Sequence, residues 1–128
     1  MQVSLKRLLS GIRIFTQLTI IMPPMAGVFF VASDGDSLIA MGGYNATDGE
    51  SVELKRMRVH PNYQRTGVGS ALLRALEDEA VRSGFKRAHL DTANAKAKPF
   101  YKRNGYSFTK SEIDGGFVFY FFEKLLLS

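Results

Sequence analysis

Gln64-Arg65-Thr66-Gly67-Val68-Gly69 joins an alternating apolar run, Val52 to Val59, to a helical pattern, Ser70 to Ser83. The turn signal His60-Pro61-Asn62 stands just before it. Two glycines at such a junction let backbone N–H groups approach an anion closely, because no Cβ stands in the way. The first turn of the helix adds N–H donors without intrahelical acceptors and the positive end of the helix dipole. Strand, glycine turn and helix together predict a site for a phosphorylated cofactor. The spacing is neither G-x-G-x-x-G nor G-x-x-x-x-G-K-[ST], so dinucleotide-fold and P-loop readings lose their main support. Taken alone, the hexapeptide is equally readable as an ordinary glycine-containing strand–helix turn.

Working outward, the 128 residues suit one domain, 1–128, with one sizeable core. A hydrophobic content of 45% and a charged content of 23% are those of a folded chain. Cysteine is absent, which removes disulfides, thiolate metal sites and cysteine nucleophiles, and fits a cytoplasmic location. Seventeen basic against 12 acidic residues give +5, yet the basic residues are dispersed. A polyanionic cofactor accounts for part of that excess better than nucleic acid does. His60 and His89 lie far apart with no ligand spacing around them, so no metal site is expected: His60 reads as a turn residue and His89 as packed or half-exposed. The apolar stretch Ile12 to Val31 is interrupted by Arg13, Gln17 and Pro23-Pro24, which argues against a membrane helix and leaves only weak support for a signal peptide, since Arg13 sits in its would-be apolar core.

Residues 3–22 are ambiguous between helix (Leu5, Leu8, Leu9 and Ile12) and strand (Ile14 to Ile21), and Pro23-Pro24 ends that element. Gly27 to Ala32 and Ser37 to Gly43 read as strands around the turn Ser33-Asp34-Gly35-Asp36. Glu50 to Val59 is a longer strand. Ser70 to Arg82 is a helix with Val68, Leu72, Ala75, Leu76 and Ala80 on one face, stopped by Gly84. Arg87 to Thr92 is a strand, Asn94 to Asn104 a helix, and Tyr106 to Lys110 and Gly116 to Leu125 a final strand pair. Phe117 to Phe122 is apolar on both faces and is expected to be covered on both. This order predicts an α/β layout around a mixed, mostly antiparallel sheet of about six to seven strands flanked by helices.

In sequence, these segments resemble the GNAT superfamily of acetyl-CoA-dependent N-acetyltransferases. Gly27 to Ala32 with Asp34-Gly35 is similar to the family's central hairpin, and Glu53 to Pro61 to its fourth strand. Gln64 to Gly69 resembles its pyrophosphate loop, and Ala71 to Glu77 the helix behind it. Asn94 and Phe100 to Tyr106 resemble its later helix. The likeness covers Gly27 to the end. It implies the acyl-CoA N-acyltransferase fold, acetyl-CoA or CoA as cofactor, and direct transfer of acetyl to a primary amine in a ternary complex.

Residue by residue, the resemblance implies that backbone groups of Met57 and Val59 bond the pantetheine arm, with Arg58 between them and its side chain on the other face. Amides of Arg65, Thr66, Gly67, Val68, Gly69 and Ser70 take the pyrophosphate, aided by the Gln64 or Arg65 side chain. Asn94 bonds the arm, caps the following helix, or does both. Glu53 is the implied base; the alternative is an ordinary cross-strand partner for a lysine or arginine such as Lys55 on a neighbouring strand. Tyr101 is the implied acid toward the sulfur; the alternative is an aromatic packed beneath the cofactor.

Two departures stand out. Pro99 falls inside the helical pattern, so the helix starts nearer Lys96–Lys98 or is distorted. Relatives place a strand and two helices ahead of the hairpin, where only 26 residues precede Gly27 here, so the acceptor side of the domain, 1–26, reads as shortened. The apolar sequence Ile12 to Met25 favours a homodimer. The implied partner is a small-molecule or peptide amine, with neither nucleic acid nor membrane expected. The alternative function is a non-catalytic acyl-CoA-binding or sensor protein on the same scaffold.

Overall fold

The computed structural model describes residues 2–8, 12–20 and 26–126, with side chains for residues 27–126. Eight strands form one sheet among these residues, in the order β1-β2-β3-β4-β5-β6-β8-β7. Strands β1 (Gln2–Leu8), β2 (Ile12–Ile20), β3 (Ala26–Asp34), β4 (Ser37–Ala46) and β5 (Ser51–Val59) run antiparallel in sequence. Helix α1 (Val68–Arg82) then crosses over to β6 (Arg87–Thr92), which lies parallel to β5. Helix α2 (Lys98–Arg103) leads to the hairpin β7 (Ser107–Asp114) and β8 (Phe117–Leu125), with β8 inserted beside β6. Parallel neighbours need a crossover of this length, so the one parallel pair sits where the sequence carries its longest helical pattern.

The ambiguous N-terminal segment is a strand pair, β1 and β2, which adds to the six strands read from the sequence. The elements that follow lie within a few residues of their expected limits. Pro99 occupies the second position of α2, where its missing N–H removes no helical bond, and a 3₁₀ turn, Ala95–Ala97, precedes it. The helix therefore starts late rather than kinking. The Pro23-Pro24 stop and the Ile12 to Met25 side chains behind the homodimer expectation lie outside the described residues.

Helix α1 packs on β3, β4 and β5. Its expected apolar face is the buried one: Val68, Leu72, Ala75, Leu76 and Ala80, joined by Leu73. Burying each leucine fully contributes about 1.5–3 kcal/mol. Helix α2 lies on the same face of the sheet, with Phe100 against the α1 start at Gly69 and Tyr101 against Phe122. Glu77 of α1 ties the helix to the segment just beyond α2 and to β8, accepting from the Tyr106 hydroxyl at 2.7 Å and from Lys124 Nζ at 2.9 Å. Among the described residues no helix covers the opposite face.

One expectation fails. Phe117 to Phe122 is not covered on both faces: Phe122 is 1% exposed, but Phe117 is 66% exposed and Val118 38%. The reason is length. Strand β6 pairs with β8 only from Leu125 to Tyr120, so the Phe117 end of the β7–β8 hairpin projects past β6 and past α2.

Strand β5 carries the feature that positions the site. Met41 faces Arg58 while Gly43 faces Lys55, so Gly42 opposes two residues, Arg56 and Met57. Arg56 adopts a left-handed φ of 60° at this bulge. The extra residue shifts the phase of the strand. Val52 and Leu54 point into the core before it, and Met57 packs toward Gly42 and Leu76 after it. Glu53, Lys55 and Arg58 consequently share the helix-free face.

Candidate active site

Strands β5 and β6 pair through Ser51–Arg87, Val52–Ala88 and Glu53–His89 and then part. The gap is a cleft of about 290 Å³, walled by Glu53 to Arg58 on β5 and Leu90 to Thr92 on β6, with Asn94, Ala97 and Tyr101 completing its lining. Parting leaves the β6-facing edge of β5 without a strand partner. Two of its carbonyls are met by side chains instead. Arg58 Nη1 donates to the Met57 carbonyl at 3.1 Å, and Gln64 Nε2 to the Val59 carbonyl at 3.3 Å. Gln64 thus braces the turn rather than reaching outward as expected of a phosphate ligand.

Beyond Val59 a 3₁₀ turn, Pro61–Tyr63, leads into the glycine loop. Tyr63 anchors the turn by donating to Asp34 at 2.7 Å, and Thr66 Oγ1 donates to the Tyr63 carbonyl. Arg65 and Gly67 take left-handed φ values of 65° and 89°. Left-handed residues alternating with others turn successive N–H groups toward one point. Gly67 offers no side-chain cap, and the first helical bond runs from the Ala71 N–H to the Gly67 carbonyl at 3.0 Å. The amides of Val68, Gly69 and Ser70 therefore have no intrahelical acceptor. A Cβ at Gly69 would meet Phe100 Cε1 at 3.2 Å and Val59 Cγ2 at 3.3 Å, so this glycine lets the end of β5, the helix start and α2 converge. The Arg65 side chain is exposed beside this concavity. These donors suit a diphosphate, and the cleft suits a narrow arm.

Glu53 sits at the vertex where the strands part, its side chain 27% exposed. It pairs with Lys55 Nζ at 3.4 Å, a partner two residues along the same strand. Tyr101 lies across the cleft. Its ring is buried against Phe100, Tyr106 and Phe122 at centroid distances of 5.1, 5.9 and 5.8 Å. Burial raises its pKa above the usual phenol value, with the nearby Arg58 charge opposing. No described side chain hydrogen-bonds its hydroxyl, whereas Tyr106 spends its own on Glu77. Asn94 caps the 3₁₀ turn, accepting from the Lys96 N–H at 3.0 Å, while also lining the cleft.

The structure brings to the vertex a residue that sequence reading assigned to packing. His89 stands beside Glu53 in register, and its Nε2 lies 3.0 Å from the Thr47 hydroxyl. Burial, then the Arg87 charge, hold its pKa below the usual value, with Glu53, Asp48 and Asp91 opposing. The available signal was positional: Glu53 and His89 are each the third residue of neighbouring parallel strands. Asp91 and Arg56 are further cleft residues that no motif marked.

This geometry, a parallel pair opened into a cleft with an uncapped helix start at one end, defines an acyl-CoA N-acyltransferase fold. Residues 12–106 match the model of the Acetyltransferase (GNAT) family, and the chain belongs to that family. It is 28% identical over 92 residues to YsnE of Bacillus subtilis (strain 168), named an uncharacterized N-acetyltransferase, covering 69% of this chain and 61% of that one. The chain thus spans about three fifths of that relative's length. Among solved structures, an aminoglycoside 6'-N-acetyltransferase complexed with coenzyme A superposes with a TM-score of 0.74 at 17% identity, covering 84% of this chain and 76% of the other. A GNAT family acetyltransferase from Elizabethkingia anophelis with acetyl-CoA bound gives 0.73 at 16% identity, covering 91% and 99%. At these identities the superpositions establish the fold. The cofactor of the family is acetyl-CoA. No described helix is long and apolar enough to cross a membrane.

Proposed function

We propose that this protein transfers the acetyl group of acetyl-CoA to a primary amine, with Glu53 as base and Tyr101 as acid. The observation that carries the reading is the cleft itself. It begins at a carboxylate, ends near a set of helix-start amides without acceptors, and holds a buried phenol whose hydroxyl no described residue bonds. The amides of Arg65 to Ser70 hold the diphosphate, with the Arg65 guanidinium beside them. The β5 edge at Met57 and Val59 aligns the arm as an added strand would, once Arg58 and Gln64 release the carbonyls they meet.

The bound cofactor supplies an acetyl thioester. Glu53 accepts the proton that the acceptor's ammonium must lose before its nitrogen attacks, and passes it to water at the open face. With the cofactor bound, Tyr101 would donate its proton to the sulfur as the C–S bond breaks, and the second proton that the nitrogen sheds on becoming an amide would restore the phenol. Burial keeps that phenol protonated at neutral pH, the form an acid requires. Among the described residues no helix stands on the face that carries Glu53, Lys55 and Arg58, and on this reading the acceptor enters the cleft there.

Thermal stabilisation by CoA and acetyl-CoA, then a panel of amines scored by free-thiol release, tests the reading. A stabilised protein that releases thiol with at least one amine is expected; no shift with either CoA form overturns it. The Glu53–Lys55 ion pair favours a second reading, an acyl-CoA-binding or sensor protein, because it occupies the implied base. Stabilisation without turnover across the panel supports that alternative.

A further inference from the structure

Charge in the cleft is distributed in a way that acetyl transfer by itself does not require. The β5 wall carries Lys55, Arg56 and Arg58 beside one carboxylate, Glu53, and the β6 wall carries Asp91. Lys55 and Glu53 offset each other at 3.4 Å. Arg56 makes no hydrogen bond or ion pair with another described residue, and the one such bond of Arg58 is to the adjoining Met57 carbonyl. Arg56 and Arg58 thus both line the cleft without an ion-pair partner among the described residues, with Asp91 lining it from the facing strand.

Backbone geometry sharpens the point. Arg56 holds a left-handed φ of 60° at the bulge. An L residue other than glycine adopts that conformation at a cost of about 1–2 kcal/mol. The bulge accounts for that conformation and leaves Arg56 among the residues that line the cleft. The phosphates of CoA do not account for its place there. Their donors are Arg65 and the helix-start amides, whereas Arg56 lies three residues, about 10 Å, back along β5 from Val59, at the thioester end of the groove.

We propose that the acceptor is a small amine that also carries an anionic group, a carboxylate or a phosphate. The anion seats on the Arg56 and Arg58 guanidiniums, whose planar forks match either oxyanion. The ammonium faces Glu53 and Asp91, which fixes the nitrogen at the vertex where Glu53 can take its proton. This inference rests on the transferase reading above.

The test is calorimetric binding of product analogues to the CoA-bound protein, after a thermal shift has established CoA binding. N-acetylglycine is compared with N-acetylglycinamide, and 2-acetamidoethyl phosphate with N-acetylethanolamine. At least one anion is expected to bind about tenfold or more tightly than its neutral counterpart, a discrimination of the size that a guanidinium–oxyanion pair supplies. The pair with the larger preference identifies the anion. Arg56→Ala is expected to reduce that preference to about twofold with the CoA shift unchanged, again by loss of one such pair. Arg56→Gly, which suits the left-handed backbone, serves as the second variant should alanine disturb the bulge. Equal binding of anion and neutral analogue, no binding of either anion, or a preference that survives both substitutions overturns the proposal while leaving the transferase reading standing. Absence of a CoA shift overturns the transferase reading, and this inference with it.

Discussion

The two halves of β5 have different fates. From Ser51 to Glu53 the strand pairs with β6, and its Val52 side chain is 1% exposed. From Arg56 to Val59 it has no partner on that side, bears a bulge, and meets its carbonyls with the side chains of Arg58 and Gln64. The paired half satisfies its backbone within the protein and anchors the sheet. The parted half keeps backbone groups available at a modest cost in strain and unmade ladder bonds. The difference teaches that a strand interrupted in one place can supply a buried core segment and an unpaired edge within nine residues.

Breaking the cleft that the parted half opens should harm chemistry more than stability. Tyr101→Phe keeps the ring packing and removes the cleft hydroxyl; we expect kcat to fall about 100-fold or more while CoA affinity stays within about twofold. Steady-state kinetics beside CoA titration separates the two, and equal losses in both would mean that Tyr101 is a packing residue. Breaking the paired half should do the reverse. Val52→Ala is expected to lower unfolding free energy by about 2 kcal/mol, measured in urea, with kcat per folded molecule unchanged. A fall in kcat there would erase the distinction between the halves.

Smaller effects sharpen it. At Gly67 a Cβ would meet nothing within 4 Å, so Gly67→Ala isolates the backbone preference at φ 89°. It should cost about 1–2 kcal/mol, read as weaker CoA binding if the loop relaxes or as lost stability if it does not. Wild-type values of both, together, would show that this φ plays no part in the loop. The smallest expected effect is alkaline. Burial pushes the Tyr44 pKa up to about 12, and it also raises Tyr101 and Tyr106. Unfolded tyrosines ionise near pH 10, so the stability these groups contribute is complete below that pH and is lost as pH rises through the raised folded values. Urea midpoints should fall between pH 9 and pH 11, more than in a Tyr44→Phe variant. Identical falls in the two would remove Tyr44 from the account.

Much of this was legible in the residues. Leu72, Ala75, Leu76 and Ala80 recur at helical spacing, and a helix with that stripe has to bury it. Gly67 and Gly69 mark the loop because their backbone demands are local. Pro99 narrowed the helix to a late start or a distortion for the same reason, and the structure shows the late start. The projecting end of β8 was not legible, since Phe117 and Phe122 are the same residue type and differ only in whether β6 extends far enough to pair with them. Nor was the register that sets His89 beside Glu53, because it depends on how far α1 carries the chain before β6 begins.

By itself, then, the sequence determined the order of elements from Gly27 onward and the strand–glycine turn–helix junction at Gln64 to Gly69, which follow from short-range periodicity and from glycine and proline geometry, and it carried the family in the order of its motifs. Tertiary structure alone decided which face Arg58 shares with Glu53, that Lys55 holds Glu53 from the same strand, and that Arg56 and Arg58 line the cleft without an ion-pair partner among the described residues. Those outcomes hang on one residue of phase at the Arg56 bulge and on where two strands part. Both are set by pairing between distant segments, which no local pattern encodes.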